Sequence, residues 1–293
     1  MNSGCRGASA GRRRDGDNKM ALKDILVLVD NDENNPARLE VALALAQAHQ
    51  AHVVGLLVVP RISLPVHVEF PLPASILEAQ DNAQKEWVAR AERTFRESAD
   101  KAGISYEWRC GVGNVSDIAA LHARYCDVVV VGQRHPDEIG TDMPDHLILS
   151  IGRPALVVPY VGSYAKVGER IMIAWDASRL ATRAVHDALP LLTTAKYVDV
   201  LAINPKGGPQ GHGDIPSADI CQHLARHGVK AEAQHVYADD IDAGDMLLSQ
   251  AASRGTDLLV MGAYGHSRWR ELILGGLTRS VLQHMTMPVM MSH

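Results

Sequence analysis

Short, nearly continuous apolar runs alternate along this chain with longer stretches in which apolar residues recur every three to four positions. The runs predict strands near 24–30, 53–59, 104–109, 127–132 and 155–159, and again near 170–176, 197–203, 229–236, 257–262 and 288–291. The periodic stretches predict helices near 37–49, 75–102, 114–125 and 142–151, then near 180–192, 217–227, 243–254 and 277–285. Strands apolar on both faces and alternating with amphipathic helices imply an α/β fold, a parallel sheet covered by helices on both sides.

The order of elements repeats. Lys23-Asp-Ile-Leu-Val-Leu-Val-Asp30 returns in character as Glu169-Arg-Ile-Met-Ile-Ala-Trp-Asp176, Cys126-Asp-Val-Val-Val-Val-Gly132 as Thr256-Asp-Leu-Leu-Val-Met-Gly262, and the strand after Pro154 as the strand after Pro288. Two tandem domains follow, 20–160 and 168–293, each a five-stranded Rossmann-like unit, joined by Tyr160–Gly168. Residues 1–19 read as a separate disordered basic leader. Arg6, Arg12, Arg13, Arg14 and Lys19 outnumber Asp15 and Asp17 there in a Gly/Ser/Ala-rich stretch, with no apolar segment of the kind a secretory signal needs. The offset between Asp30 and Asp176 is 146 residues, that between Gly132 and Gly262 is 130, and that between Pro154 and Pro288 is 134. The first half therefore carries an insertion in its middle, placed at Pro60–Pro73 and the following helix, and a shortened loop before its last helix.

Composition narrows the function classes. The 293 residues carry a net charge of -5 and 4% aromatics, too few for a base-stacking platform, so nucleic acid is not an expected partner. No run approaches the roughly 20 apolar residues of a spanning helix, so no membrane is expected either. Cys5, Cys110, Cys126 and Cys221 form no Cys-x-x-Cys pair, which fits a reducing cytoplasm rather than a disulfide scaffold or thiolate zinc site.

The candidate chemistry lies after the strand ending at Gly262. Gly262-Ala-Tyr-Gly265 is followed by nine residues and then by Gly275-Gly276, directly before the helix that opens with Leu277 and Thr278. Glycines between strand and helix allow close backbone approach to a ligand, and the exposed N–H groups of the helix start form an anion site suited to phosphate. His266, Arg268, Arg270 and Arg279 add positive charge. The same spacing also serves a tight turn with close helix–strand packing. Its position at the carboxyl end of a parallel strand, where open α/β sheets bind ligands, favours the phosphate reading, and Asp176, ending the first strand of the same half, is expected to face the same crevice.

Gly262-x2-Gly265-x9-Gly275, with the helix and apolar strand that follow, resembles the ATP-binding signature of the universal stress protein family, and the resemblance extends over nearly all of Lys23–His293. It implies two tandem adenine nucleotide α-hydrolase-like domains with strand order 3-2-1-4-5, and ATP as the ligand of the second. It places Gly262, Gly265, Gly275, Gly276, Leu277 and Thr278 around the phosphates, Asp176 and Ala177 at the nucleoside, and Ala202 near the adenine. The family usually has Ser or Thr where this chain has Gly276, which removes one hydroxyl. It also implies pairing of the halves through their last strands, an internal pseudo-dimer, with a homodimer as a further state.

The first half keeps Gly132 but reads Thr141-Asp142 where the second has Gly275-Gly276, and Asp145 where the second has Arg279. Its anion site is expected to be filled by its own carboxylates, making it the degenerate domain. His49 with His52 and His223 with His227 have metal-like spacing but no convincing third ligand, and read as surface or capping residues, so no metal site is expected. The run Asp239, Asp240, Asp242 and Asp245 precedes a helix, where Asp caps well, a magnesium role beside ATP being the other reading. Dedicated catalytic motifs are missing, so slow ATP hydrolysis is the most that is expected. The sequence thus points to an ATP-binding stress-response regulator with a still unidentified protein partner. The alternatives are a nucleotide-free interaction scaffold of the same fold and an ATP-consuming enzyme.

Overall fold

The computed structural model describes residues 21–30, 35–60, 74–135, 144–205, 217–237, 240–264 and 276–293. The leader, the proline-rich stretch, Thr141, Asp142, Gly265 and Gly275 lie outside them.

In the first half the chain runs β1 (Asp24–Leu28), α1 (Asn35–His49), β2 (His52–Val59), α2 (Ala74–Ala102), β3 (Tyr106–Val112), α3 (Val115–Ala123), β4 (Val128–Gly132), α4 (Asp145–Ser150) and β5 (Ala155–Val158). The second half repeats the sequence with β6 (Arg170–Ala174), α5 (Arg179–Leu192), β7 (Tyr197–Ile203), α6 (Ala218–Arg226), β8 (Ala231–Val236), α7 (Ala243–Ser253), β9 (Leu258–Gly262), α8 (Gly276–His284) and β10 (Val289–Ser292). The middle helix accounts for part of the length difference: α2 has 29 residues and α6 has 9.

One ten-stranded sheet runs through both halves in the order β3-β2-β1-β4-β5-β10-β9-β6-β7-β8. Each half has the order 3-2-1-4-5 and is parallel throughout. The halves join where β5 and β10 pair antiparallel, with Leu156 opposite Met290. Both strands are fully buried, so the junction removes two apolar edges from water.

The sheet is sandwiched as the apolar runs require. On one face α1, α2, α5 and α6 cover the strands through Leu39, Phe95, Val185 and Leu224. On the other, α3, α4, α7 and α8 contribute Ala119, Leu147, Leu247 and Val281. The outer strands β3 and β8 are only half-buried, as edges covered on fewer sides should be.

The repeated Asp at the foot of β4 and β9 has one job in both halves. Asp127 Oδ2 accepts from the backbone N–H of Lys23 at 2.6 Å and Asp24 at 3.1 Å. Asp257 accepts from Gly168, Glu169 and Arg170 at 2.8, 3.1 and 3.0 Å. Each carboxylate thus satisfies strand-start donors that the ladder leaves open and ties the first strand of its half to the fourth.

Candidate functional site

β6 lies between β7 and β9, and the chain leaves its carboxyl end toward α5 while β9 leads toward α8. This is the switch point of the second half, where helix starts converge over the strand ends. A cavity of about 230 Å³ opens there. Its walls are Trp175 and Asp176 after β6, Ser178, Leu180 and Ala181 at the start of α5, Leu201 and Ile203 on β7, Ala243 and Leu247 on α7, Met261 and Gly262 on β9, and Gly276, Leu277 and Thr278 on α8.

Local chemistry shapes each wall. Ser178 is the N-cap of α5, its side chain accepting from Ala181 N at 3.1 Å, and Asp176 Oδ1 accepts from Ser178 N at 2.9 Å. Ala177 between them is left-handed, with φ 57°. Gly262 is required by packing: a Cβ there would stand 2.7 Å from the backbone nitrogen of Ala181 and the carbonyl carbon of Leu180, so only glycine lets α5 close on β9. Gly276 is the opposite case, because a Cβ there meets nothing within 4 Å.

The first turn of α8 carries N–H groups that no intrahelical carbonyl reaches, at the positive end of the helix dipole, and it faces this cavity. Thr278 is buried at 3% exposure, and its Oγ1 accepts from Tyr264 N at 3.1 Å. Tyr264 has φ 63°, and its hydroxyl donates to Asp145 Oδ1 of the first half at 2.6 Å. Burial, with that carboxylate alongside, pushes the Tyr264 phenol well above its ordinary range. The first half also grips the far end of α8, where Gln133 Nε2 donates to Leu282 O at 2.8 Å.

Of the residues singled out in the sequence, Asp176, Gly262, Gly276, Leu277 and Thr278 come together on the cavity wall. Ala177, between Asp176 and Ser178, is not on that wall. Ala202 is fully buried but does not line the cavity; strand alternation gives that face to Leu201 and Ile203. Trp175, Ser178 and the α7 residues Ala243 and Leu247 were not singled out. Alternation on β7 was the signal that could have selected Leu201 and Ile203, whereas α7 reaches the site only through tertiary packing.

At the equivalent strand end of the first half, a side chain of α1 reaches over Gly132. Arg38, 4% exposed, extends from α1 to the end of β1, donating to Leu28 O at 3.2 Å and to Asp30 Oδ1 at 2.7 Å. Its guanidinium lies against Gly132, where a Cβ would be 3.0 Å from Nε. The expectation that Asp145 fills this anion site is corrected: its carboxylate is engaged by Tyr264, and the side chain over Gly132 is a cation.

The histidine and aspartate readings separate. His49 is buried, which with nearby Lys23 holds its pKa below the ordinary value, while His52 pairs with Ser105 Oγ at 2.8 Å. Asp242 caps α7 by accepting from Gly244 N at 2.8 Å.

The pattern of the universal stress protein family matches residues 21–150 and 168–293, one copy on each half. The chain belongs to the universal stress protein family. A universal stress protein of Synechocystis sp. (strain PCC 6803) is 26% identical over 172 residues, which span 56% of this chain and 57% of that relative's length. Among solved structures, a universal stress protein from Archaeoglobus fulgidus DSM 4304 superposes with a TM-score of 0.70 at 16% identity, over 92% of this chain and 97% of its own. A functionally unknown protein from Pseudomonas aeruginosa PAO1 does so with a TM-score of 0.58 at 16% identity, over 93% and 92%. These likenesses show the fold across both halves. Within this universal stress protein, the cavity beside α8 and the Arg38 side chain over Gly132 distinguish the described parts of the two copies of the domain.

Proposed function

We propose that this universal stress protein binds ATP in the crevice of its second half and uses occupancy as a regulatory signal, with the first half serving as a nucleotide-free partner domain. The observation that carries this reading is the contrast between two equivalent positions. In the second half a cavity lined by Gly262, Gly276 and Thr278 is open toward the N–H groups of α8, whereas in the first half the Arg38–Asp30 pair lies beside Gly132.

In this reading the adenosine lies between β6 and β7, against Leu201, Ile203 and Leu247, with the Asp176 carboxylate accepting from ribose hydroxyls. The phosphates run to the start of α8, where backbone N–H groups and the Thr278 hydroxyl meet them; Gly265 and Gly275, expected from sequence to share that role, lie outside the described residues. In this reading occupancy itself, rather than turnover, is the function. Its cysteines suit a cytoplasmic setting, and with β5 and β10 already paired, a homodimer would form through another surface.

A nucleotide-free scaffold is the second reading. It is favoured by the cavity volume of about 230 Å³, below the roughly 300–1,000 Å³ of common ligand pockets, and by the Tyr264 amide already resting on Thr278 Oγ1. Acid extraction of the freshly purified protein followed by ion-exchange chromatography separates the two. ATP-class nucleotide in the extract, or uptake after incubation with ATP, supports the first, and an empty protein that takes up none supports the second.

A further inference from the structure

Tyr264 stands in the left-handed region, with φ 63°, where a residue other than glycine is strained. Such a conformation persists only where its surroundings fix it. Two bonds do so here: the Tyr264 hydroxyl donates to Asp145 Oδ1 at 2.6 Å, and the Tyr264 amide donates to Thr278 Oγ1 at 3.1 Å. Burial and the adjacent carboxylate raise the phenol pKa, so the hydroxyl keeps its proton and remains the donor of that pair. The first half also holds the other end of α8. Gln133, itself buried, donates through Nε2 to Leu282 O at 2.8 Å and to Gln283 O at 3.3 Å, while its Oε1 accepts from Tyr160 N at 3.1 Å.

The amide on Thr278 decides what that hydroxyl offers. A hydroxyl has one proton, and with an N–H directed at its oxygen that proton turns away from Tyr264. Thr278 lines the cavity beside the open N–H groups at the start of α8, so this end of the crevice presents donors. Fixed donors favour an acceptor that is charged and carries no proton of its own, which an ionised phosphate oxygen is and an alcohol is not. We propose, on the nucleotide reading above, that Asp145 of the first half is a positioning residue for the second: through Tyr264 it holds the Thr278 hydroxyl as a donor and sets the crevice to receive an ionised polyphosphate. Without that hold the strained turn at Tyr264 relaxes, its amide leaves Thr278, and the hydroxyl proton loses its direction. Coulomb's law alone gives the opposite sign, because removing the Asp145 carboxylate from the neighbourhood of phosphates tightens an anion.

The test is titration of the full-length protein and its Tyr264→Phe, Asp145→Ala and Asp145→Asn variants with ATP and inorganic tripolyphosphate by calorimetry, and with adenosine by ligand-observed NMR. Tyr264→Phe and Asp145→Ala should each weaken ATP and tripolyphosphate about fivefold or more, the worth of one well-placed hydrogen bond. Adenosine, bound weakly or not at all, should be unchanged, and so should circular dichroism. Asp145→Asn keeps an oxygen for the Tyr264 hydroxyl and should bind ATP at least as tightly as the native protein. Native ATP affinity in Tyr264→Phe, tighter ATP in Asp145→Ala, or equal weakening of ATP and adenosine would overturn the positioning role and leave the nucleotide reading standing. A native protein that takes up neither ATP nor tripolyphosphate would overturn both.

Discussion

The hydroxyl of Tyr264, in the glycine loop of the second half, donates to Asp145 of the first half across 119 residues of sequence at 2.6 Å. The same tyrosine offers its backbone N–H to Thr278 Oγ1 on the cavity wall. A single residue thus ties the edge of the crevice to the neighbouring domain. Hydrogen bonds to charged groups contribute about 1.5–3 kcal/mol when well buried, and this one is part-buried. Tyr264→Phe should therefore cost about 1–2 kcal/mol in urea unfolding.

That bond also has a pH signature. The Tyr264 phenol is raised in the folded state, so its contribution is complete below the ordinary tyrosine pKa of about 10 and is lost as pH rises above it, when the unfolded chain ionises first. Stability measured by denaturant between pH 9 and 11, a window set by that value of about 10, should fall less steeply in Tyr264→Phe than in the native protein. Equal slopes would contradict the assignment.

On the acid side, His49 and His223 are both lowered by burial first and by nearby cations or histidines second. Groups lowered on folding add stability above their unfolded pKa of about 6.5 and lose it as pH falls through the folded value. Unfolding free energy should decline below about pH 6.5, and His49→Gln should flatten the decline if it folds. His49 dominates this expectation, being the more buried of the two.

The two glycines of the crevice should respond in opposite ways. Gly262→Val drives a side chain into the backbone of α5 and should destabilise by about 3 kcal/mol or abolish folding. Gly276→Ser enters open space, should change stability by less than about 0.5 kcal/mol and, by supplying a hydroxyl at the phosphate end, should tighten ATP. Thermal unfolding and ATP titration of the two variants check this pair.

In the first half, Arg38 lies buried over Gly132 and pairs with Asp30. Removing one partner of a buried ion pair costs about 3–5 kcal/mol, less here because the Asp30 side chain is 39% exposed. Arg38→Met should lose about 1–3 kcal/mol in urea unfolding and should not create a second ATP site. A second site in that variant would show that Arg38 alone keeps the first half empty.

Much of this was legible along the chain. The apolar runs predicted all ten strands, because strands such as Val128–Gly132 are buried on both faces and tolerate little else. The repeat predicted two equivalent five-stranded halves, which join into one sheet through their last strands, and the glycine spacing pointed to Gly262, Gly276 and Thr278, which line one crevice. Arg38 was missed because a lone arginine in an amphipathic helix reads as solvated until α1 is laid against Gly132. Asp145 was assigned to its own half because nothing local reveals that Tyr264 arrives from the other.

The central claim is that one crevice is open to nucleotide and its counterpart is shut. Isothermal titration of ATP into the full-length protein tests it most directly, alongside Gly276→Asp, whose carboxylate fits the open space and opposes phosphate by like charge. The account predicts one ATP per chain in the native protein and loss of binding in Gly276→Asp. Two ATP per chain, no ATP, or binding that Gly276→Asp leaves intact would contradict it.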